Sequence, residues 1–214
     1  MSGDEERSAN RHLDLADYRR RVAQMYLAEP TAGAAGWRAF RQARDQLFRE
    51  HPQSALEPAD RAALVTLPFF DYDDRYRIQA TVVPARDDEE LAIDTGGEDG
   101  VLRYRRIARL RTAVGQLTLF WLTGYGGGLF LPFRDQTAGA ETYGGGRYLA
   151  DTAKGTFGRG FVAHHERVVL DFNYAYNPSC AYSPRYACPL APRENWLAVP
   201  IRAGEQAYVG DPQR

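Results

Sequence analysis

The stretch Arg103-Tyr-Arg-Arg-Ile-Ala-Arg-Leu-Arg-Thr112, continued by Ala113-Val-Gly-Gln116 and Leu117-Thr-Leu-Phe-Trp-Leu122, decides how this chain is built. Apolar and polar residues alternate at both ends of its first half, in Arg103-Tyr-Arg105 and Ala108-Arg-Leu-Arg111, the two-residue period of a strand with one covered face. Val114-Gly115-Gln116 then reads as a hairpin that returns the chain into a second strand. Segments of the same kind recur on either side: Arg77 to Val83, Leu91 to Thr95, Leu129 to Phe133, Arg147 to Ala150, Glu166 to Phe172 and Trp196 to Arg202, separated by Gly, Pro, Asp and Asn. No helical pattern long enough for a parallel crossover lies between them, so the pairing is expected to be antiparallel.

Upstream the period is helical. Leu15, Tyr18, Val22, Met25 and Tyr26 form one apolar stripe beside the solvated run Arg19-Arg20-Arg21, predicting a first helix from Leu13 to Ala28. Trp37, Phe40, Leu47 and Phe48 form a second stripe that ends at His51-Pro52, where an imidazole suits the helix end. Pro58 opens a third, short helix reaching Leu64. The polar residues 1–11 carry no apolar face and are expected to form a disordered tail. The expected fold is α+β: mainly an antiparallel β-sandwich or partly open barrel with two or three N-terminal helices. Residues 12–65 supply the helices and 66–214 the β-rich core of one domain.

Composition removes several classes of function. The 214 residues are 44% hydrophobic and 12% aromatic, enough to fill a core, with a net charge of −1. That balance gives no basic field for a phosphate backbone, so nucleic acid is not expected as a partner. No apolar run reaches the roughly 20 residues that span a bilayer, so no membrane partner is expected. The N-terminus lacks the order of a secretory signal, and a cytoplasmic location is expected. Cys180 and Cys188 would there be thiols, although a turn through the seven residues between them would allow a disulfide. Their spacing lies outside the usual zinc-knuckle range, and Asp71, Asp73 and Asp74 lack the glycine and distal glutamate of a calcium loop. No metal and no cofactor is therefore expected, and the three aspartates read as a solvated turn with a local Arg75 pair.

The densest chemistry lies between Gly126 and Arg202. In Glu141-Thr-Tyr-Gly-Gly-Gly-Arg147, the amides of Gly144, Gly145 and Gly146 with Arg147 suit an anion-binding nest. The same residues also suit a glycine corner with Glu141 and Arg147 paired across it. Neither glycine run meets a dinucleotide or P-loop pattern. Arg134 and Asp135 add charge, and Asp171 and Asn173, two apart, share one strand face. Glu141 and Asp171 are the candidate catalytic carboxylates, while Arg134, Gly144, Gly145, Gly146, Arg147, Asn173, Tyr176 and Asn177 are the candidate ligand-binding residues. Cys180 is a candidate nucleophile only if His164 or His165 serves as its base; a buried inert thiol is the alternative. Pro189, Pro192 and Pro200 predict a rigid cover before the last strand.

Four blocks also carry a resemblance: Leu131-Pro-Phe-Arg-Asp, Glu141-Thr-Tyr-Gly-Gly-Gly-Arg-Tyr, Asp171-Phe-Asn-Tyr-Ala-Tyr-Asn-Pro-Ser-Cys-Ala-Tyr and Cys188-Pro-Leu-Ala-Pro-Arg-Glu-Asn. They are similar to the signature blocks of a bacterial and archaeal family of domains of unknown function, over about Trp37 to Glu205. The resemblance brings no activity, cofactor or catalytic residue with it. The residues alone thus predict a pocket for a small polar or anionic molecule, with carboxylate acid/base chemistry as its enzymatic form. The alternative is a structural or interaction protein whose Arg/carboxylate groups form a scaffold network without a ligand.

Overall fold

The computed structural model describes residues 3–27, 33–85, 90–95, 100–164 and 167–208. Three helices come first: α1 (Gly3–Leu27), α2 (Gly33–Glu50) and α3 (Pro58–Ala63). α1 begins ahead of the periodic stretch, so the polar segment read as a disordered tail supplies its first turns from Gly3. On α2 the buried residues are Gly36, Trp37, Phe40, Arg44, Leu47 and Phe48, the stripe expected plus a glycine and an arginine. The helix stops where His51 N–H donates to the Leu47 carbonyl and Pro52 follows. His51 is buried, accepts from Gln53 N–H through Nδ1 and meets Asp17 through Nε2 at 3.3 Å, which is a structural clasp between helices. Arg20 and Arg21 pair with the same Asp17 on the solvated face.

Among the described residues eight strands follow: β1 (Arg77–Pro84), β2 (Glu90–Asp94), β3 (Val101–Thr112), β4 (Gly115–Leu122), β5 (Gly128–Phe133), β6 (Arg147–Asp151), β7 (Phe161–His164) and β8 (Arg167–Asp171). They form one antiparallel sheet in the order β6-β5-β4-β3-β1-β8-β7, with β2 paired to β3 outside this path. The sheet curls into a nearly closed barrel, so the two edges approach. Gly160, just before β7, lies so near the Leu149 carbonyl of β6 that an added Cβ would come within 2.8 Å of it. The β3–β4 hairpin turns through Ala113 and Val114, with Thr112 opposite Gly115.

Two bodies of side chains fill the molecule. One lies inside the barrel and includes Leu110, Leu117, Leu131, Phe133, Leu149, Phe161, Leu170, Phe172 and Ile201. The other lies between the helices and the barrel wall and includes Tyr26, Trp37, Phe40, Phe48, Tyr104, Phe130, Tyr148, Tyr176 and Tyr182. A bulge explains how β3 serves both. Tyr104 and Ala108 have the same parity, yet Tyr104 faces the helices and Ala108 the barrel. Between Arg106 and Ala108 the register slips by one residue, Ile107, which exchanges the faces.

Two expectations need correction. β7 is an extra strand, and Trp196 to Arg202 forms none; only an isolated bridge joins Trp196 to Arg134. Its backbone groups bond the walls instead: Leu197 N–H donates to the Arg134 carbonyl, Ile201 N–H to the Asp135 carboxylate, and the Ile201 carbonyl accepts from Arg147. With those groups committed, and no N–H at Pro200, no ladder can form.

Candidate functional site

Arg147 opens β6 and is completely enclosed, at 0% exposure. Its Nη2 donates to Asp135 at 2.8 Å and to the Ile201 carbonyl at 2.8 Å. Its Nη1 donates to the carbonyls of Glu205, at 3.1 Å, and Ala203. The guanidinium lies over the Phe133 ring, 5.0 Å from its centre. Burial alone would push the Asp135 carboxyl up, but Arg147, the Thr137 hydroxyl and the amides of Thr137 and Ile201 hold it below the ordinary carboxylate value. The Arg147 partner is therefore Asp135. Glu141 pairs instead with Arg202 at 2.8 Å near the surface.

The triple glycine is a corner. Gly146 has φ +92°, and a Cβ there would lie 2.5 Å from the Phe133 carbonyl oxygen. Its N–H donates to the Tyr143 carbonyl, and the Gly144 carbonyl accepts from Arg134 Nε at 2.9 Å. A Cβ on Gly145 would strike the Tyr143 ring at 2.5 Å. Arg134 stacks on Trp196, 4.5 Å from the ring centre. Arg134, Gly144, Gly145 and Gly146 are thus brought together, but Arg147 faces the barrel interior.

Asp171 and Asn173 also meet. The Asp171 carboxylate caps the turn after β8, accepting from Asn173 N–H at 3.1 Å and Nδ2 at 2.9 Å. Asn173 further bonds both backbone groups of Asp73, and its carbonyl accepts from the Trp37 indole. Burial raises the Asp171 pKa against these hydrogen bonds. The pair ties β8 to helix α2 and to the aspartate turn, where Asp73 pairs with Arg75 at 2.6 Å.

The remaining two predicted residues, Tyr176 and Asn177, lead to an opening. They line a cleft of about 50 Å³ between α1, α2 and the barrel wall, together with Arg44, Tyr148, Lys154, Thr156, Ser179 and Tyr182. Asn177 is 3% exposed; its Nδ2 donates to the Gln206 carbonyl at 2.8 Å, while its Oδ1 is buried with no hydrogen-bond partner among the described residues. The Tyr176 hydroxyl meets Thr156 Oγ1 at 2.6 Å. Behind the cleft, Arg44 forms a two-pronged ion pair with Glu205, at 2.8 and 3.0 Å, and both side chains are at most 4% exposed. Glu205 joins the two buried networks. Its carboxylate also accepts from Asn177 N–H at 2.6 Å, and its backbone carbonyl accepts from Arg147.

Charge at the cleft is balanced. Arg44 is matched by Glu205, and Lys154 lies 3.7 Å from Asp151. Burial raises the Asp151 pKa, opposed by Lys154, and burial also drives the Tyr148, Tyr176 and Tyr182 phenols upward, keeping them neutral donors. The wall therefore offers hydroxyls and amides with one flexible ammonium at the mouth. Arg44 was not singled out from the sequence, although a charge inside the apolar stripe of α2 is the signal that would have found it. Glu205, Asp151, Lys154 and Thr156 carried no such signal, because their roles depend on where distant loops return.

The two cysteines lie beside this wall and are free thiols. Cys180 is buried and accepts from the Tyr143 hydroxyl at 3.5 Å. The side chain of His164 and all of His165 fall outside the described residues, as do the candidate acid–base arrangements that need them.

Comparison with known proteins agrees with this architecture. A solved solution NMR structure of an uncharacterised protein from Haloarcula marismortui is similar at 35% sequence identity and a TM-score of 0.57, covering 80% of this chain and 92% of that one. The search of curated proteins finds no match. The family model described as a protein of unknown function, DUF1684, matches residues 62–206, from the end of α3 to beyond the Glu205 network, and the chain belongs to that family.

Proposed function

We propose that this protein binds a small polar molecule, or the polar end of a larger one, in the cleft lined by Tyr176, Asn177, Lys154, Thr156 and Arg44. One observation carries the reading: Asn177, a residue of the cleft lining, has a buried Oδ1 with no donor among the described residues. A buried acceptor left unpaired costs about 1–3 kcal/mol, which a ligand N–H or O–H would recover. The 50 Å³ volume restricts the enclosed part to a few heavy atoms. Balanced charge favours a neutral or singly charged group over a phosphate, which narrows the polar-or-anionic expectation. Turnover would draw on Asp151, the carboxylate nearest the Lys154 mouth, because Glu141 pairs at the surface and Asp171 caps a turn.

The scaffold alternative has its own support in the closed partners of Arg147, and we assign it to that residue, Asp135 and the Arg44–Glu205 pair. It does not extend to the Asn177 oxygen.

Melting curves with acetamide, glycolate, urea and inorganic phosphate test the proposal. We expect a neutral or singly charged probe to raise the melting temperature of the wild type. Lys154→Met and Tyr176→Phe should diminish that shift, while Arg134→Ala, away from the cleft, should keep it. A wild type unmoved by every probe, or a shift lost only in Arg134→Ala, would refute the reading.

A further inference from the structure

Cys180 and Cys188 are separated by seven residues, but two successive turns fold the chain back between them. Tyr182 N–H donates to the Ser179 carbonyl and Tyr186 N–H to the Ser183 carbonyl. The result places Cys188 Sγ 3.4 Å from the Cys180 backbone nitrogen, whose N–H donates to it. The environments of the two sulfurs differ. Cys180 is buried and held by the Tyr143 hydroxyl at 3.5 Å, whereas Cys188 is half-buried and receives the Cys180 N–H.

We propose that Cys180 and Cys188 form a redox-active dithiol that exchanges with low-molecular-weight disulfides, Cys188 as the attacking thiolate and Cys180 as the resolving thiol. An amide N–H and partial access are surroundings that favour a reactive cysteine, and Cys188 has both. Pairing with Cys180 and the Lys154 charge draw the Cys188 pKa down against burial, while the same pairing and burial push Cys180 upward. Cys188 is thus the thiol that ionises first. Its thiolate attacks one sulfur of R–S–S–R; that S–S bond breaks, one RS⁻ leaves, and Cys188 carries a mixed disulfide. Cys180 then gives up its proton and attacks Cys188 Sγ, expelling the second RS⁻. The small disulfide is reduced to two thiols and the protein pair is oxidised by the loss of two hydrogens. This inference is independent of any ligand in the cleft.

Equilibrating the full chain with mixtures of oxidised and reduced glutathione, trapping by alkylation and reading the intact mass tests it. In the wild type a monomer lacking two hydrogens, with both cysteines protected from alkylation, should grow with the oxidised fraction and revert with dithiothreitol. Cys180→Ser should accumulate a glutathione adduct on Cys188. Cys188→Ser should react at least about ten-fold more slowly, because it removes the thiolate. Alkylation of wild-type Cys188 should be half-maximal below the pH of an ordinary cysteine thiol, and the midpoint should shift upward in Lys154→Met. The wild-type measurement decides even if a variant fails to fold: two alkylatable thiols at every glutathione ratio, or disulfide found only between chains, would overturn the proposal.

Discussion

Arg147 illustrates what enclosure does to a charged residue. Four acceptors meet its two terminal nitrogens: the Asp135 carboxylate and three carbonyls from the segment after Pro200. Only its Nε is left without a partner. The arginine therefore fastens the irregular C-terminal segment inside the barrel. Removing its carboxylate would leave a buried cation uncompensated, which costs about 3–5 kcal/mol. Asp135→Asn should lose that much stability near neutral pH, as urea unfolding would measure. The linkage has a definite sign. The folded Asp135 pKa lies below its ordinary 3.8, so its contribution is complete above that value and is lost as pH falls through the folded pKa. The wild-type excess over Asp135→Asn should accordingly shrink as the pH is taken below 3.8. An excess that stays constant into acid would assign the stability elsewhere.

At the scale of elements, periodicity was readable wherever one face of an element is covered. β1 to β6, β8 and α2 lie where the sequence reading places them, and Arg44 stands in the α2 stripe as a buried charge whose partner, Glu205, is far away in the chain. The Trp196 to Arg202 segment misled because Leu197 and Ile201 are buried like strand residues, while its hydrogen bonds go to Arg134, Asp135 and Arg147. Burial pattern reports side chains; it does not report the partners of the backbone. The triple glycine was readable as either a nest or a corner, and steric contact separates the two roles residue by residue. Gly146→Ala would force a Cβ to 2.5 Å from the Phe133 carbonyl at φ +92°, and we expect a loss of about 1–3 kcal/mol. At Gly144 an added Cβ meets nothing nearer than 3.8 Å, and Gly144→Ala should lie within about 0.5 kcal/mol of wild type. Equal losses at both positions, read from denaturant midpoints, would contradict the corner geometry.

For the molecule as a whole, the helices and the barrel share one polar seam. Glu205 returns from the C-terminal segment to meet Arg44 of α2, supports Asn177 through its N–H and shares Arg147 with Asp135. That convergence could not be read from the chain, because Arg44, Arg147 and Glu205 are far apart in it and no local period links them. The sequence blocks richest in charge and glycine build this closed frame, and the frame leaves a small cleft at its edge by Tyr176 and Asn177. The most direct test is a high-resolution crystal structure of the full chain soaked with the small polar probes. We expect a bound probe in the cleft between α1, α2 and the barrel wall, donating to Asn177 Oδ1, with Arg147 still bonded to Asp135. A probe seated on the Gly144–Gly146 corner against a displaced Arg147, or a cleft in which Asn177 holds only water at saturating probe, would contradict it.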